Sequence, residues 1–460
     1  MLTNIDWIAE GKPFPPVEEE ERLKRYKDEE RMFNGEYGYV YGSYFAELQN
    51  NLRMRDANVQ TILNYPQLLS KKTADFICSE PPEINTGENT DVINDTLDNM
   101  AFNNTLYEAM MDISRFGNSV IKILDNRISI VPPEYWFPIV DPYDAKHVTT
   151  QVLAFVSGNE IYVEIHNKKW FERRYYEVKK QEGNKNALEF GKLLNRETII
   201  TGIEENAVQV LTNVTNSKSI YGISDYNIIK GVHKQLLWRI FCVERILDKH
   251  AAPSLVGSNT MLQQDPVTGM YLFKAGNFFE RNSNDDVMPQ YLTWDGNLNA
   301  VQWEIEWLTN QLYTLSEMGA AFLEGAGKGE VNSGRALKLR MTSPLIKAQR
   351  LVGINEQSIK LIIAIMSVAT GQAVQLKDIS ITWNDGLPND TIELCEIYEK
   401  ATGGKAFMSQ FAAVKSFNGL DDAKTDEELA MIEGEHTSVI ASHGAFENIN
   451  DNGTVEEDVQ

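Results

Sequence analysis

The chain has 460 residues, of which 42% are hydrophobic, and its formal net charge is −23. This length and composition allow two or more domains with real cores, and they exclude a chain that is disordered as a whole. The acidic excess argues against ordinary nucleic-acid binding, in which lysine and arginine release counterions from phosphates. It does not exclude a surface past which DNA moves, because an acidic surface repels phosphates and lets a duplex slide.

The sequence lacks the signals of membrane-spanning, secreted, metal-binding and disulfide-rich proteins. Residues 361–368 are apolar but too few to span a bilayer, and residues 1–4 lack the charged start and apolar core of a signal peptide. The three cysteines lie far apart without a C-x-x-C motif, and the six histidines are scattered. We therefore predict a cytosolic product without a metal site, a disulfide framework or a cofactor.

The first half of the chain mixes helices with antiparallel strands. Residues 15–32 predict a helix with acids first and bases later, which matches the helix dipole, and we expect its charged face to be solvated. Residues 90–116 are also helical. Strands with alternating apolar residues follow at 120–124, 127–131, 151–156, 160–166 and 170–178. The pattern indicates an α+β fold without the rhythm of a parallel sheet.

Two long helices flank a small β-rich insert. Ser224 is placed to cap a helix that runs to about His250. Residues 253–297 contain short strands and turns, and a second helix is predicted from Asn299 to Phe322. Both helices are amphipathic.

A glycine-rich loop follows the second of these helices. Its glycines Gly325, Gly327 and Gly329 make the backbone permissive, and without an apolar anchor the loop should project into solvent or into a lumen. Lys328 is its only cation. A nucleotide-binding loop is rejected, because Gly327-Lys328 is followed by glycine instead of serine or threonine, and phenylalanine stands at the position of the first glycine.

A long helix is predicted after this loop. Ser333 is placed to cap it, and apolar residues recur at helical spacing over 334–370. Pro344 removes a backbone donor inside this pattern, which predicts a kink. No acidic residue occurs between Glu330 and Glu356, and we expect the cations of this stretch to look outward. These cations are Arg335, Lys338, Arg340, Lys347 and Arg350.

The last ninety residues are simpler. Residues 378–383 predict a strand, Asn389 is placed to cap a helix, and Ser409 starts another. From Asp421 the chain is acidic and too poor in apolar residues to fold alone.

Four stretches, in this order along the chain, carry a resemblance to a known family. They are ADFICSEPP at 74–82, YGISD at 221–225, SGRALKLR at 333–340 with Pro344-Leu345, and WNDGLPN at 383–389. Together they resemble portal proteins of tailed bacteriophages, in the branch found in long-tailed phages of Gram-positive hosts. The resemblance covers roughly residues 20–435, and Cys78-Ser79 stand where that family usually has a glycine.

The resemblance implies a ring, typically a dodecamer, at the unique vertex of the capsid. Its partners would be copies of itself, duplex DNA in the channel, the large terminase subunit, a head–tail connector or adaptor, and the major capsid and scaffolding proteins, without a membrane. The protein would belong to the virion after assembly in the host cytoplasm. Neighbouring copies would cover the faces of the two amphipathic helices that one chain leaves open.

The resemblance also implies a division of the chain. The parts would be an antiparallel β-rich wing (1–220), a first stem helix (221–252), a small β-rich clip (253–298), a second stem helix (299–322), a tunnel loop (323–333), a long kinked helix (334–370), and a crown with an acidic tail (371–460).

The expected mechanism is not enzymatic. Lys328 of each copy would form a cationic collar around the DNA, the glycines would let the loop follow the duplex, and the kink at Pro344 would let the long helix shift. Lys328 as an ordinary exposed lysine and Pro344 as a passive kink stay open as alternatives. For Arg335, Lys338 and Arg340, pairing with acids of an adjacent subunit is favoured over contact with DNA.

Two other classes of function stay open. A carboxylate-based hydrolase is compatible with 66 acidic residues, but no compact acid pair, G-x-S-x-G, H-E-x-x-H or Cys/His arrangement appears, so no catalytic residue is predicted. Another structural ring or connector of the virion is the nearer alternative, although such proteins are generally much shorter and would lack the long helix pair with its β insert.

Overall fold

The protein is described by a computed structural model. It describes residues 1–42, 45, 63–124, 126–180, 187–251, 255–256, 263–264, 266–269, 271–272, 290–291, 299–319, 339–368, 371–384, 391–403, 406–420 and 422–434.

Helices and strands alternate along these residues without a repeating βαβ unit. The helices are α1 (Glu20–Phe33), α2 (Tyr37–Tyr41), α3 (Tyr65–Cys78), α4 (Thr90–Asn99), α5 (Phe102–Phe116), α6 (Asp225–Ala251), α7 (Asn299–Leu315), α8 (Thr342–Val368), α9 (Thr391–Thr402) and α10 (Gln410–Asn418). The strands are β1 (Pro13–Phe14), β2 (Glu83–Asn85), β3 (Asn118–Leu124), β4 (Arg127–Val131), β5 (Ile139–Val140), β6 (Val148–Ser157), β7 (Glu160–His166), β8 (Trp170–Lys180), β9 (Leu188–Ile200), β10 (Val208–Thr212), β11 (Leu255–Val256), β12 (Gln263–Gln264), β13 (Tyr271–Leu272), β14 (Gln290–Tyr291) and β15 (Ser380–Thr382).

The named strands pair in antiparallel fashion. A six-stranded sheet has the order β1-β9-β8-β7-β6-β5, and a three-stranded sheet has the order β10-β3-β4. The predicted hairpin is confirmed by the pairing of β3 with β4, in which Val120 lies opposite Val131. Strands β11 to β14 form two small ladders within the predicted insert, and β15 pairs with β2. The predicted α+β class is confirmed.

The main core is built around the long helix α8. Its apolar residues Leu351, Ile359 and Ile362 are fully buried against α4, α5 and the three-stranded sheet. By length and composition alone α8 could cross a membrane, which the short stretch 361–368 had not suggested. The reason is that its apolar residues extend over the whole helix. Ile346 and Ile354 are exposed, whereas the following residues pack into the core: Leu351, Ile359, Ile362, Ile363, Ile365 and Met366.

Two predicted helices have different bounds in the structure. The second long helix ends at Leu315 and not at Phe322, because Glu317 adopts a φ of +60°, which a helix does not continue. The helical stretch 90–116 is divided into α4 and α5, since Ala101 adopts a φ of +53°.

The expectation that the charged face of the N-terminal helix is solvated is wrong for part of that helix. Arg22 is buried, and its guanidinium donates to the carbonyl oxygens of Pro133 (3.0 Å) and Trp136 (2.7 Å) and to the Glu19 carboxylate. Glu19 also accepts from the Tyr221 hydroxyl at 2.9 Å. Helix α1 covers these two carbonyl groups, so they need hydrogen-bond donors from the protein. The spacing of charges within the helix could not predict that Arg22 would be that donor.

The chain divides into two compact units. The first comprises Met1–Glu330 with Leu339–Gly386, and the second comprises Val331–Lys338 with Leu387–Gln460. In the second unit the structure describes α9, α10 and the helical residues 422–434. The predicted start of α10 is confirmed, because the Ser409 hydroxyl accepts from the Ala412 amide at 3.1 Å.

Candidate functional site: a buried polar junction

Most residues of the predicted loop site lie outside the described residues. This applies to Gly325, Gly327, Lys328, Gly329, Arg335 and Lys338. Arg340 is described, and it is exposed in the short helical piece 339–340. Pro344 lies in the first turn of α8, where its missing N–H leaves no helical bond unmade. The kink and the role of the loop stay predictions.

The structure brings together both chain segments that lead into this loop. Residues 316–319 precede it and residues 339–350 follow it, and Lys347 of the second segment contacts both Ser316 of the first and Asp225 in the segment Tyr221–Asp225. We call this region, with its contacts to α5 and β10, the junction. It lies entirely within the first compact unit.

Two glycines allow the backbones of the junction to touch. An ideal Cβ at Gly222 would lie 1.9 Å from the carbonyl oxygen of Gly117, and one at Gly117 would lie 2.3 Å from the carbonyl oxygen of Gly222. Gly117 also ends α5 with a left-handed φ of +84°. The Gly222 amide donates to the Asn118 side chain at 2.9 Å. No residue with a side chain fits at either position without separating the two segments.

Ser224 caps helix α6 as predicted and also ties it to α5. Its hydroxyl oxygen accepts from the Tyr226 amide at 3.1 Å, and it donates to the Arg115 carbonyl at 2.5 Å. Asp225 follows at the first helical position, where a carboxylate is favoured by the helix dipole. Asp225 accepts from the Ser114 hydroxyl (2.8 Å) and from the Asn213 amide group (3.0 Å).

Lys347 supplies the opposite charge from inside α8. Its side chain is 2% exposed, and its ammonium group lies 2.7 Å from Asp225 Oδ2. The same group donates to the carbonyl oxygen of Ser316, just after the end of α7, at 3.1 Å. One buried ammonium therefore joins the start of α6, the end of α7 and the first turns of α8.

A second, more exposed ion pair reinforces this contact. Arg350 donates to the Glu317 carboxylate through two guanidinium nitrogens, and Ser343 donates to the Glu317 carbonyl at 2.9 Å. The left-handed conformation of Glu317 turns the chain away from the axis of α7 at this point. The chain segments on either side of residues 320–338 are thus tied to each other.

The junction is suited to hold elements together. Its charges are paired at hydrogen-bond distance, and the Lys347 ammonium is removed from solvent. Within the part of the chain that the structure describes, no three His, Cys, Asp or Glu side chains converge as metal ligands would. Its chemistry is that of a buried, hydrogen-bonded ion pair, which fixes geometry.

The outward orientation expected for the cations of α8 is wrong for Lys347. It is buried, and Arg350 pairs with an acid of its own chain. The absence of acids between Glu330 and Glu356 could have indicated these long-range ion pairs, since a buried cation without an acid nearby in sequence needs a distant one. The identity of those partners, Asp225 and Glu317, depends on tertiary structure.

Helix α1 places a buried acid close to the junction. Glu29 is 5% exposed, and burial raises its pKa from 4.5 to about 8, although Arg25 at 3.6 Å opposes the shift. A pKa raised on folding means that the native state binds the proton more tightly, so this stabilisation is complete below about pH 4.5 and is lost as the pH rises through 8.

We therefore expect Glu29→Gln to stabilise the protein relative to wild type as the pH is raised from 5 to 8. The difference in free energy of unfolding should grow by roughly 1–3 kcal/mol, because the amide avoids ionisation in a buried place. Urea denaturation at a series of pH values measures it. Glu21→Gln, on the exposed side of the same helix, is the control and should show no such trend. Equal pH dependence of all three proteins would contradict the prediction.

Comparisons with known proteins cover most of the chain. The family model "Phage portal protein, SPP1 Gp6-like" matches residues 17–439. Among curated proteins, no sequence matches the chain.

Three solved structures similar to the chain come from gene transfer agent (GTA) particles. A chain of "Neck of native GTA particle computed with C12 symmetry" is 9% identical, with 77% of this chain and 89% of that chain covered and a TM-score of 0.43. Chains of "Virion of native gene transfer agent (GTA) particle" and "Neck of empty GTA particle computed with C6 symmetry" are each 10% identical, with 90% and 96% covered and TM-scores of 0.41 and 0.44.

Proposed function

The chain belongs to the family of SPP1 Gp6-like phage portal proteins, and we propose that its copies form a ring of twelve subunits at one vertex of the capsid. The family match over residues 17–439 carries this proposal. The subunit number follows from what is typical of portal proteins. The ring is assembled in the host cytoplasm and becomes part of the virion.

The ring is the channel through which DNA enters and leaves the capsid. A terminase docks on it during packaging and a head–tail connector afterwards, while capsid and scaffolding proteins surround it. The protein itself supplies a passage and docking surfaces, and the energy for DNA movement comes from the terminase. The net charge of −23 fits this task, because an acidic wall does not hold phosphates in place.

The parts of the chain take the places that the family resemblance implies. Residues 1–220 form the wing, α6 and α7 the stem helices, 253–298 the clip, 323–333 the tunnel loop, and 371–460 the crown with its tail. The junction supports this division, because its buried Lys347 holds both stem helices and the long helix where the tunnel loop begins and ends. A loop anchored in this way presents Lys328 to the channel while its glycines follow the duplex.

The mass and projection of the full-length protein test the proposal most directly. We expect native mass spectrometry to give a large closed oligomer, and electron microscopy to show a ring with a central channel wide enough for duplex DNA. A monomer or dimer that persists across salt and protein concentration would refute the proposal. A closed ring that attaches to tails but supports no packaging would favour the alternative of a virion connector.

We expect Lys328→Ala to lower DNA packaging by roughly tenfold while rings still form, because the change removes the only cation of the loop. Packaging of phage DNA in extracts that contain the variant portal measures the effect. Lys377→Ala changes an exposed lysine outside the loop and is the matched control. Equal packaging by both variants would show that Lys328 is an ordinary surface lysine.

A further inference from the structure

Helix α7 exposes two tryptophans one turn apart. Trp303 is 66% exposed and Trp307 is 48% exposed. They lie on the side away from Leu308 and Leu312, which are buried against α6. Glu306 is exposed on the same side. Large aromatic side chains exposed together are typical of a surface that another protein covers.

Helix α6 exposes a face of different character. Its exposed residues are Asn227, Ile228, Gly231, Lys234 and Gln235. Gly231 leaves a flat place on this face, because an added Cβ there would meet nothing within 4 Å. The face carries the cation Lys234 and no acid among these residues. It thus offers open space for an indole and a charge opposite to that of a carboxylate.

The two helices run antiparallel as a pair. The start of α6 and the end of α7 meet at the junction, where Asp225 and the Ser316 carbonyl share the Lys347 ammonium. Further along, Arg239 of α6 donates to Glu304 of α7 at 2.7 Å. These contacts fix the register of the pair, so Lys234 lies at the level of the α7 residues that follow Glu306.

The two exposed faces lie on opposite sides of this pair. Leu236 of α6 and Leu308 of α7 point into their shared core. At about 100° per residue, Lys234 is turned about 160° from Leu236, and Trp303 is turned about 140° from Leu308. Complementary patches on opposite sides of one subunit are what a head-to-tail contact between identical copies requires.

We propose that the α7 face of one copy, with Trp303 and Trp307, packs on the α6 face of the next copy between Asn227 and Gln235. Lys234 then lies beside Glu306 and the indoles of its neighbour. Repetition of this contact closes a ring of paired helices around a channel. The inference rests on the proposed ring and specifies which surfaces of the chain form it.

Cysteine cross-linking tests the contact in full-length rings. We expect Lys234→Cys combined with Glu306→Cys to give, on oxidation, a ladder of covalent oligomers that extends to the ring size in a non-reducing gel. Each single variant keeps the native Cys78, Cys242 and Cys395 and is the control; it should give no ladder.

An exchange of charges tests the same contact without a covalent bond. Lys234→Glu should lower the fraction of protein in rings about tenfold at low salt, and adding Glu306→Lys should restore it. Lys377→Glu makes the same charge change at a distant exposed site and should leave ring formation unchanged. Native mass spectrometry measures the ring fraction.

The outcomes separate this inference from the proposed function. Wild-type rings with neither a ladder nor rescue by the charge exchange would overturn the contact and leave the portal function standing. If the two cysteine changes prevent assembly, the charge exchange alone decides: the contact is overturned if Glu306→Lys does not restore rings to the Lys234→Glu variant. A wild-type protein that forms no ring would overturn both.

Discussion

Replacing Lys347 by methionine is expected to lower the free energy of unfolding by roughly 3–5 kcal/mol, because it leaves the buried Asp225 carboxylate without its ion-pair partner. Methionine keeps most of the side-chain volume, so the loss reports the charge and not a cavity. The Ser316 carbonyl loses a donor in the same change. Urea denaturation of the full-length protein, compared with wild type at one protein concentration, measures the loss.

Lys360→Met is the matched control for this experiment. Lys360 lies on the same helix, but it is partly exposed and pairs with Glu356 one turn away at 2.7 Å. Such a pair contributes about 0.3–0.5 kcal/mol, so this variant should stay close to wild type. Equal effects of Lys347→Met and Lys360→Met would contradict a structural role of the buried pair.

A double variant separates the ion pair from its surroundings. We expect Asp225→Asn with Lys347→Met to lose clearly less stability than the sum of the two single changes, since neither buried charge is then left alone. Additive losses would mean that the two groups contribute through other contacts. For Asp225 these are Ser114 and Asn213, which also donate to its carboxylate.

Gly222→Ala is the second change expected to have a large effect. Its Cβ would lie 1.9 Å from the Gly117 carbonyl oxygen, and backbone atoms on both sides leave no flexible group that could give way. We expect a loss of roughly 3 kcal/mol or more, seen as a lower urea midpoint or as failure to accumulate as soluble protein. Gly117→Ala should behave in the same way, with added strain from its φ of +84°.

Gly353→Ala distinguishes this close contact from a general effect of removing glycine. Gly353 lies in helix α8, and an added Cβ would meet nothing within 4 Å. Alanine is the better helix former, so this variant should be more stable than wild type by up to about 1 kcal/mol. A Gly222→Ala protein as stable as Gly353→Ala would contradict the close approach of the two backbones.

The YGISD segment shows why a short motif can mark a fold. Tyr221 binds Glu19, Gly222 allows the contact with Gly117, Ser224 caps α6, and Asp225 holds Lys347. Each of these residues has a separate role at one closely packed place. From the sequence alone, only the cap by Ser224 could be given a physical reason.

Local pattern was sufficient for the fold class and for many elements of this protein, although it did not predict strands β9 and β10. Alternation of apolar residues located strands β3, β4, β6, β7 and β8, and helical spacing with a serine cap located α6 and α10, because these signals depend on residues near one another in the chain. The family resemblance also followed from the sequence, and the family match over residues 17–439 confirms it. The end of α7 at Leu315 and the break between α4 and α5 were not predicted, since the positive φ values of Glu317 and Ala101 leave little trace in sequence.

Only the tertiary structure decided which distant groups share a buried place. Lys347 and Asp225 are 122 residues apart, and Gly117 and Gly222 meet through backbone atoms that every residue carries. The sequence determined that the first turns of α8 are rich in cations without local acids, whereas the fold determined that one of these cations is buried at the ends of both paired helices. The physical reason is that burying an unpaired charge costs much free energy, so a buried cation must have an acid beside it. Which acid that is depends on how the elements pack and not on spacing along the chain.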